Sequence, residues 1–194
     1  MSARIRFATA RQVFEAFPAA REDIAAPPAD EPPLAFAGAL MRSQTPEDAI
    51  SFCAYLLPRR EAVWWACQCV SGLAPQPPGG TEPAAHRAAE AWVRDPEEEQ
   101  RQAALREGLS ADPARAATWL ALAAGWSGGS MAAPELPAVP PPPQMTARAV
   151  RAAVFTAIAG VGAAARAEAL QSCVEAGLRF AEGGDARLRP ATPR

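Results

Sequence analysis

The chain has 194 residues, of which 49% are hydrophobic, and it carries a net charge of −2 with a pI near 5.5. This length suits one domain with a buried core, and this charge excludes a general attraction to nucleic acid or anionic lipid. All nineteen basic residues are Arg, which indicates coding bias and not a recognition pattern. No run of about 18 apolar residues lacks charge or Pro, so we expect no membrane-spanning helix.

The N-terminal stretch MSARIRFATARQVFEAF lacks the apolar core of a signal peptide. We therefore expect a cytoplasmic protein with reduced cysteines. A short helix is expected at about residues 9–17, and the Pro-rich, polar residues 18–33 are expected to form a linker. Together they predict an N-terminal extension over residues 1–33, ahead of a single domain over residues 34–184.

Helix-start signals recur after residue 44, at intervals of roughly 12–25 residues. The stretch Thr45-Pro46-Glu47-Asp48 offers an N-cap, a Pro for the first turn and acids for the positive end of the helix. Asp95-Pro96 and Asp112-Pro113 repeat the pattern, and Leu57-Pro58 and Glu82-Pro83 are weaker versions. Thr146 offers a cap for a later helix.

Apolar residues with i, i+3, i+4 spacing follow these starts, whereas alternating strand patterns are absent. Such stripes run over residues 49–57, 119–126, 150–161 and 170–181. The sequence predicts an all-α fold of about six or seven short antiparallel helices arranged as hairpins.

The segment LPRREAVWWACQC, residues 57–69, begins a predicted helix that is apolar nearly all round. One stripe holds Ala62, Trp65 and Cys69, which favours a central helix of the bundle. Trp64 or Trp65 could instead anchor a protein partner, since Trp and Arg are common at interface hot spots. Arg59 and Arg60 are unfavourable at a helix N-terminus, so a carboxylate partner would explain them.

The remaining reactive side chains favour structural roles. Cys67 and Cys69 diverge by about 200° on a helix, and no CxxC motif or nearby His completes a metal site, so we expect buried, reduced thiols. His86 has no identifiable nucleophile or orienting acid and is expected at the surface or half-buried. We expect no metal, no cofactor and no catalytic constellation.

A long Pro/Gly-rich loop over residues 127–145, SGGSMAAPELPAVPPPPQM, interrupts the helices. Gly128 and Gly129 are expected to end a helix with positive φ. The run Pro140–Pro143 could bind an aromatic groove of another protein as a polyproline II ligand, or lie as a strap across the protein's own tryptophans. The strap is preferred, because a Pro-rich segment loses little entropy on ordering. The last residues, 185–194, are expected to be a flexible tail.

Several stretches together resemble a known family. They are TPEDAISFCAYLLPRREAVWWACQC, AAEAWVRDPEEE, WLALAAGWSGGSMAAPELPAVPPPPQMTARAV and GLRFAEGG. They resemble short, uncharacterised proteobacterial proteins grouped as DUF6931, over about residues 34–184. The resemblance suggests a setting near type VI secretion accessory and PAAR-type spike genes. It implies an adaptor or chaperone for a secreted cargo and transfers no catalytic residues.

The expected function is protein–protein interaction without catalysis. A groove lined by Trp and Ala would hold an amphipathic or extended segment of cargo, and loop 127–145 would gate or complete it. Arg59 and Arg60 would pair with acids at the rim of this groove. The candidate partner-binding residues are Arg59, Arg60, Trp64, Trp65, Trp126 and Met131. This hypothesis fails if Trp64, Trp65, Trp119 and Trp126 are all fully buried and no groove lies beside them. The alternatives are a homo-oligomeric structural subunit and an enzyme whose site the sequence does not reveal.

Overall fold

A computed structural model of the protein describes residues 4–73, 83–132 and 135–189, and every regular element in these ranges is helical. The all-α prediction is confirmed. The described ranges contain ten α-helices and a 3-10 turn at Ala163–Ala165. The helices are α1 (Ala10–Ala16), α2 (Ala20–Asp23), α3 (Pro33–Met41), α4 (Glu47–Leu56), α5 (Arg59–Leu73), α6 (Ala84–Arg94), α7 (Glu98–Ser110), α8 (Ala116–Gly125), α9 (Met145–Gly160) and α10 (Arg166–Ala181).

Ten helices exceed the six or seven expected because short elements carry little periodicity. Helix α2 has four residues, which is too few for a stripe. Helix α3, PLAFAGALM, is apolar on nearly every side, so no polar face marks it as helical. Across the described ranges, no helix combines the length and apolar character needed to cross a membrane.

Proline lies at the start of three middle helices, close to where the sequence predicts, although the N-cap of α4 is Pro46 and not Thr45. Helices α4, α5 and α6 begin directly after Pro46, Pro58 and Pro83, where a fixed φ and a missing N–H cost nothing. The prediction that Thr146 caps a helix is wrong. Thr146 lies inside α9, and its hydroxyl donates to the Trp126 carbonyl oxygen at 3.0 Å, which ties α9 to the end of α8.

Helices α5 and α9 connect two groups of helices. Helices α6, α7 and α8 contact one another, and α3, α4 and α10 do the same. Helix α5 contacts both groups, and so does α9. Trp65 of α5 is 0% exposed, and its indole Nε1 donates to the Cys173 carbonyl oxygen of α10 at 2.9 Å. The interpretation of α5 as a central helix is therefore confirmed, and Trp65 belongs to the core.

Both ends of the described chain pack against this core. Residues 18–33, expected to form a linker, contain α2 and bury Ala20 and Ile24. Residues 185–189 include the buried Ala186, while Leu188 lies against Gly72. The rest of the predicted tail, residues 190–194, lies outside the described residues.

Candidate partner-binding site

Arg59 and Arg60 begin α5, but their guanidinium groups reach the ends of neighbouring helices. Arg60 Nε donates to the Val93 carbonyl oxygen at 2.7 Å, at the end of α6. Arg59 Nη1 donates to the Ser127 carbonyl oxygen at 2.6 Å, just beyond α8. Helix C-termini carry partial negative charge, so these cations are favourable there even though they begin α5. The expected carboxylate partners are thus replaced by main-chain carbonyls within the protein.

Arg4 has the same role at the end of α10. Its Nη1 donates to the carbonyl oxygens of Phe180 at 2.5 Å and Gly184 at 3.0 Å. Its guanidinium also lies 4.0 Å from the centre of the Phe180 ring, a cation–π arrangement. Arg4 is therefore held at the C-terminus of α10 by both charge and stacking.

The ends of α6 and α10 and the start of α5 surround one pocket of about 340 Å³. We call it the Trp64 pocket. Its lining residues are Arg4, Arg60, Glu61, Trp64, Val93, Arg94 and Phe180. Three guanidinium groups and one carboxylate give this lining a net charge of +2, and the other three residues supply an apolar wall.

Two polar groups in the Trp64 pocket have no partner within the described residues. They are the indole N–H of Trp64 and the carboxylate of Glu61, both on partly buried residues. Arg94, by contrast, is exposed and donates to Glu90 of the same helix. The pocket therefore offers a free donor and a free acceptor beside a cationic rim.

The other candidate residues lie outside this lining. Trp126 is partly buried at the end of α8 and packs against the core. Met131 is partly buried, and its amide donates to the Val139 carbonyl oxygen at 2.8 Å. The structure therefore brings together Arg60 and Trp64 and separates them from Trp126 and Met131 in the described lining.

Sequence reasoning missed five of the seven lining residues, which are Arg4, Glu61, Val93, Arg94 and Phe180. Arg94 had a weak signal, since it is the basic residue in the last turn of α6. Arg4 and Phe180 are 176 positions apart, so no local spacing could have joined them.

Arg101 fixes the start of the 127–145 loop. This Arg is 3% exposed, and its guanidinium donates to the carbonyl oxygens of Gly125 at 2.5 Å and Ser130 at 3.2 Å. Its other partner is Glu98, at 2.7 and 2.6 Å, and these bonds lower the pKa of Glu98 to about 2. Gly129 has a φ of +60° here, as expected, but Gly128 does not adopt positive φ.

The outer part of this loop is open to solvent. Residues 135–140 are all exposed, with Leu136 at 59% and Val139 at 48%. The preferred interpretation of a strap across the tryptophans gains no support from this stretch. Residues 133–134 lie outside the described residues.

The four cysteines are buried and form no disulfide bond within the described residues, as predicted. Burial raises the pKa of Cys53 to about 12. Burial, followed by a hydrogen bond with Cys173, also raises the pKa of Cys69. Thiolates are the reactive form, so these side chains serve packing. No three His, Cys, Asp or Glu side chains in the described ranges are placed to hold a metal ion.

His86 is 3% exposed, so the expectation of a surface or half-buried position is wrong. The apolar stripe of α6 beside it turns this face inward. Its Nε2 lies 3.4 Å from Ser71 Oγ and 3.9 Å from Glu90 Oε1.

Comparison with known proteins gives one match. The model of DUF6931, a family of unknown function, matches residues 36–181. No curated protein and no solved structure matches the chain.

Proposed function

Since the chain belongs to DUF6931, a family of unknown function, we propose that it is a non-catalytic protein-interaction module that docks its partner at the Trp64 pocket. It acts as a cytoplasmic adaptor or chaperone-like accessory of a bacterial secretion system of the type VI class. Its partner is a secreted cargo or a spike-type protein. The family resemblance supports the secretion setting, and the geometry of the pocket supports the choice of docking site.

The observation that supports docking most strongly is Trp64 itself. Its neighbour Trp65 is buried with its indole N–H bonded, whereas Trp64 is only partly buried and its N–H has no acceptor among the described residues. Trp and Arg dominate the energetics of protein interfaces when they meet in a pocket that a partner can desolvate. A volume of about 340 Å³ lies at the low end of ligand sites and suits one or two inserted side chains.

The state of the reactive groups supports a role without catalysis. The four thiols lie in the core, and two of them have raised pKa values. His86 is buried in the fold and does not line the Trp64 pocket. These groups fit packing better than proton transfer or nucleophilic attack.

The test is affinity capture from the native bacterium with a tag after residue 194, which leaves the Arg4 end of the chain free. Wild type is compared with Arg94→Glu in the pocket and Arg106→Glu on α7, two exposed Arg positions. Circular dichroism checks that each variant is folded. We expect quantitative mass spectrometry to find the same partner with wild type and Arg106→Glu, and at least tenfold less with Arg94→Glu.

Two outcomes would contradict the proposal. Undiminished recovery of the partner by Arg94→Glu would place docking elsewhere on the surface. Recovery of the protein alone, with a mass that rises with concentration in light scattering, would indicate a homo-oligomeric subunit instead.

A further inference from the structure

The charge of the Trp64 pocket selects for an anionic ligand. Arg4, Arg60 and Arg94 line it against the single carboxylate of Glu61. A guanidinium has five N–H donors, and the internal contacts use only some of them. Arg4 bonds its carbonyls through Nη1, which leaves Nε and Nη2 without a described acceptor. Arg60 donates to main-chain carbonyls through Nε and Nη2, which leaves Nη1 without a described acceptor.

Glu61 imposes a second requirement on the ligand. Its carboxylate has no hydrogen bond or ion pair among the described residues, although the residue is partly buried. A ligand that brought only negative charge would be repelled by this group. A ligand that also brings an N–H donor satisfies it, because a hydrogen bond to a charged carboxylate is stronger than one between neutral groups.

The apolar wall imposes a third requirement. Trp64, Val93 and Phe180 line the pocket with apolar groups, and Trp64 is the most exposed of the three, so this wall offers a surface for an apolar side chain. The volume of about 340 Å³ limits the ligand to one or two side chains. The negative charge, the N–H donor and the apolar group of the ligand must therefore lie close together on it.

We infer that the Trp64 pocket binds the C-terminal residue of its partner polypeptide, through the α-carboxylate, the amide N–H and an apolar side chain of that residue. A C-terminal residue carries these three groups on one Cα atom. Capture of a terminal carboxylate is an established mode of peptide recognition. In the bound state the guanidinium groups and the Trp64 N–H donate to the carboxylate, Glu61 accepts from the amide, and the side chain packs on Trp64 and Phe180. This inference rests on the proposed function.

The test uses fluorescein-labelled pentapeptides ending in Gly-Leu, titrated with the full chain and followed by fluorescence anisotropy. One peptide has a free C-terminal carboxylate, and a second is identical but ends in an amide. A third has a free carboxylate and ends in Gly, and a fourth carries an internal Asp and an amidated end. We expect the free Leu acid to bind at least tenfold tighter than the amide and the internal acid, and more tightly than the Gly acid.

Two variants tie this binding to named groups. Arg94→Glu should abolish the preference for the free acid, while Arg106→Glu should retain it.

Methylation of the last peptide nitrogen removes the N–H donor, so it should weaken binding to wild type severalfold. The same methylation should have little effect in Glu61→Ala, because the acceptor is already gone. Rising salt should weaken binding of the free acid.

Equal affinity for acid and amide, or no binding by any peptide at millimolar protein, would overturn the inference. If Arg94→Glu still loses the cellular partner in that case, the proposed function stands and the C-terminal mode is wrong. If the free acid binds as expected but Arg94→Glu keeps its cellular partner, the proposed docking site is the part that fails.

Discussion

At the scale of single residues, Arg side chains connect the ends of helices to other segments of this protein. Arg4, Arg59, Arg60 and Arg101 each donate to a carbonyl at or just beyond a helix C-terminus. Lys could supply the charge but not several donors in a fixed planar fork. Composition alone indicates that the absence of Lys is a coding bias. The structure adds that Arg is well suited to the carbonyl groups at these helix ends.

Gly129 and Gly128 offer a matched test of the Arg101 contact. A Cβ at Gly129 would lie 2.7 Å from the Arg101 guanidinium on a backbone with φ of +60°, whereas a Cβ at Gly128 would meet nothing within 4 Å. We expect Gly129→Ala to lower the free energy of unfolding by about 1–3 kcal/mol, through left-handed strain and displacement of Arg101. Gly128→Ala should change it by less than about 0.5 kcal/mol. Urea unfolding measures both, and equal effects would contradict this account of the loop.

Glu98 gives a pH-dependent prediction. Hydrogen bonds from Arg101 lower its pKa from 4.5 to about 2, so the folded state holds this proton less readily than the unfolded state. Its contribution to stability is present above pH 4.5 and is lost as the pH falls towards 2. Because the Glu98 side chain is 63% exposed, solvent screening keeps this contribution below about 1 kcal/mol.

We therefore expect Glu98→Gln to be less stable than wild type at pH 7, by up to about 1 kcal/mol, and the difference to shrink between pH 4.5 and pH 2. Glu107, exposed on the same helix and without an ion pair among the described residues, supplies the control variant Glu107→Gln. Urea titrations at pH 7 and pH 3 make the comparison. A difference that stays constant over this range would show that the Arg101 pair is not its source.

At the scale of elements, small residues allow α7 and α8 to pack closely. Gly108 of α7 faces Leu122 of α8, and Gly125 of α8 faces Leu105 of α7. Each Leu thus occupies the space that the opposing Gly leaves empty. Close backbone approach of this kind makes the pair sensitive to a single added methyl group.

Gly125→Ala tests this packing directly. Its Cβ would lie 2.8 Å from the Leu105 Cα, a backbone atom that cannot move aside as a flexible side chain can. We expect a loss of about 1–3 kcal/mol in the free energy of unfolding. Gly38→Ala in α3 is the control, since its nearest neighbour is the end of the Arg42 side chain at 3.6 Å. That variant should be neutral or more stable by up to about 1 kcal/mol, as for Gly to Ala in a helix. Similar losses in both variants would contradict the packing argument.

At the scale of the whole molecule, the N-terminal segment is integrated by charge. Asp23 of α2 accepts from the Tyr55 hydroxyl at 2.5 Å and from Arg148 Nε at 2.9 Å, and Arg151 Nη1 lies 3.4 Å away. Burial and the hydrogen bond to Asp23 raise the pKa of Tyr55. This network connects α2 to α4 and α9, so residues 18–33 cannot act as a loose linker along their whole length.

The sequence predicted what local rules control. Proline marked the starts of α4, α5 and α6, and the stripe through Ala62, Trp65 and Cys69 indicated the buried face of α5. The sequence could not show contacts between distant segments. The Asp23 network and the Arg4 contact with Phe180 join positions more than 30 and 170 residues apart, and they depend on how the helices pack.

The candidate site was recovered only in part for the same reason. Trp64 and Arg60 could be selected because residue type and helix position make them unusual. Their pocket is completed by the ends of α6 and α10 and by Arg4, which carry no shared motif. Sequence reasoning also could not distinguish a carboxylate from a main-chain carbonyl as the partner of Arg60, since both satisfy a guanidinium at close range.

The most direct test of the account is photocrosslinking in the native bacterium from the position of Trp64. Benzoylphenylalanine replaces Trp64 in one strain and Trp119 in another, since Trp119 is also partly buried but lies outside the pocket lining. We predict that irradiation joins a partner protein to the chain from position 64 and not from position 119, and that mass spectrometry maps the crosslink to the partner's last residues. No crosslink from position 64, or equal crosslinking from both positions, would contradict a docking role for the Trp64 pocket.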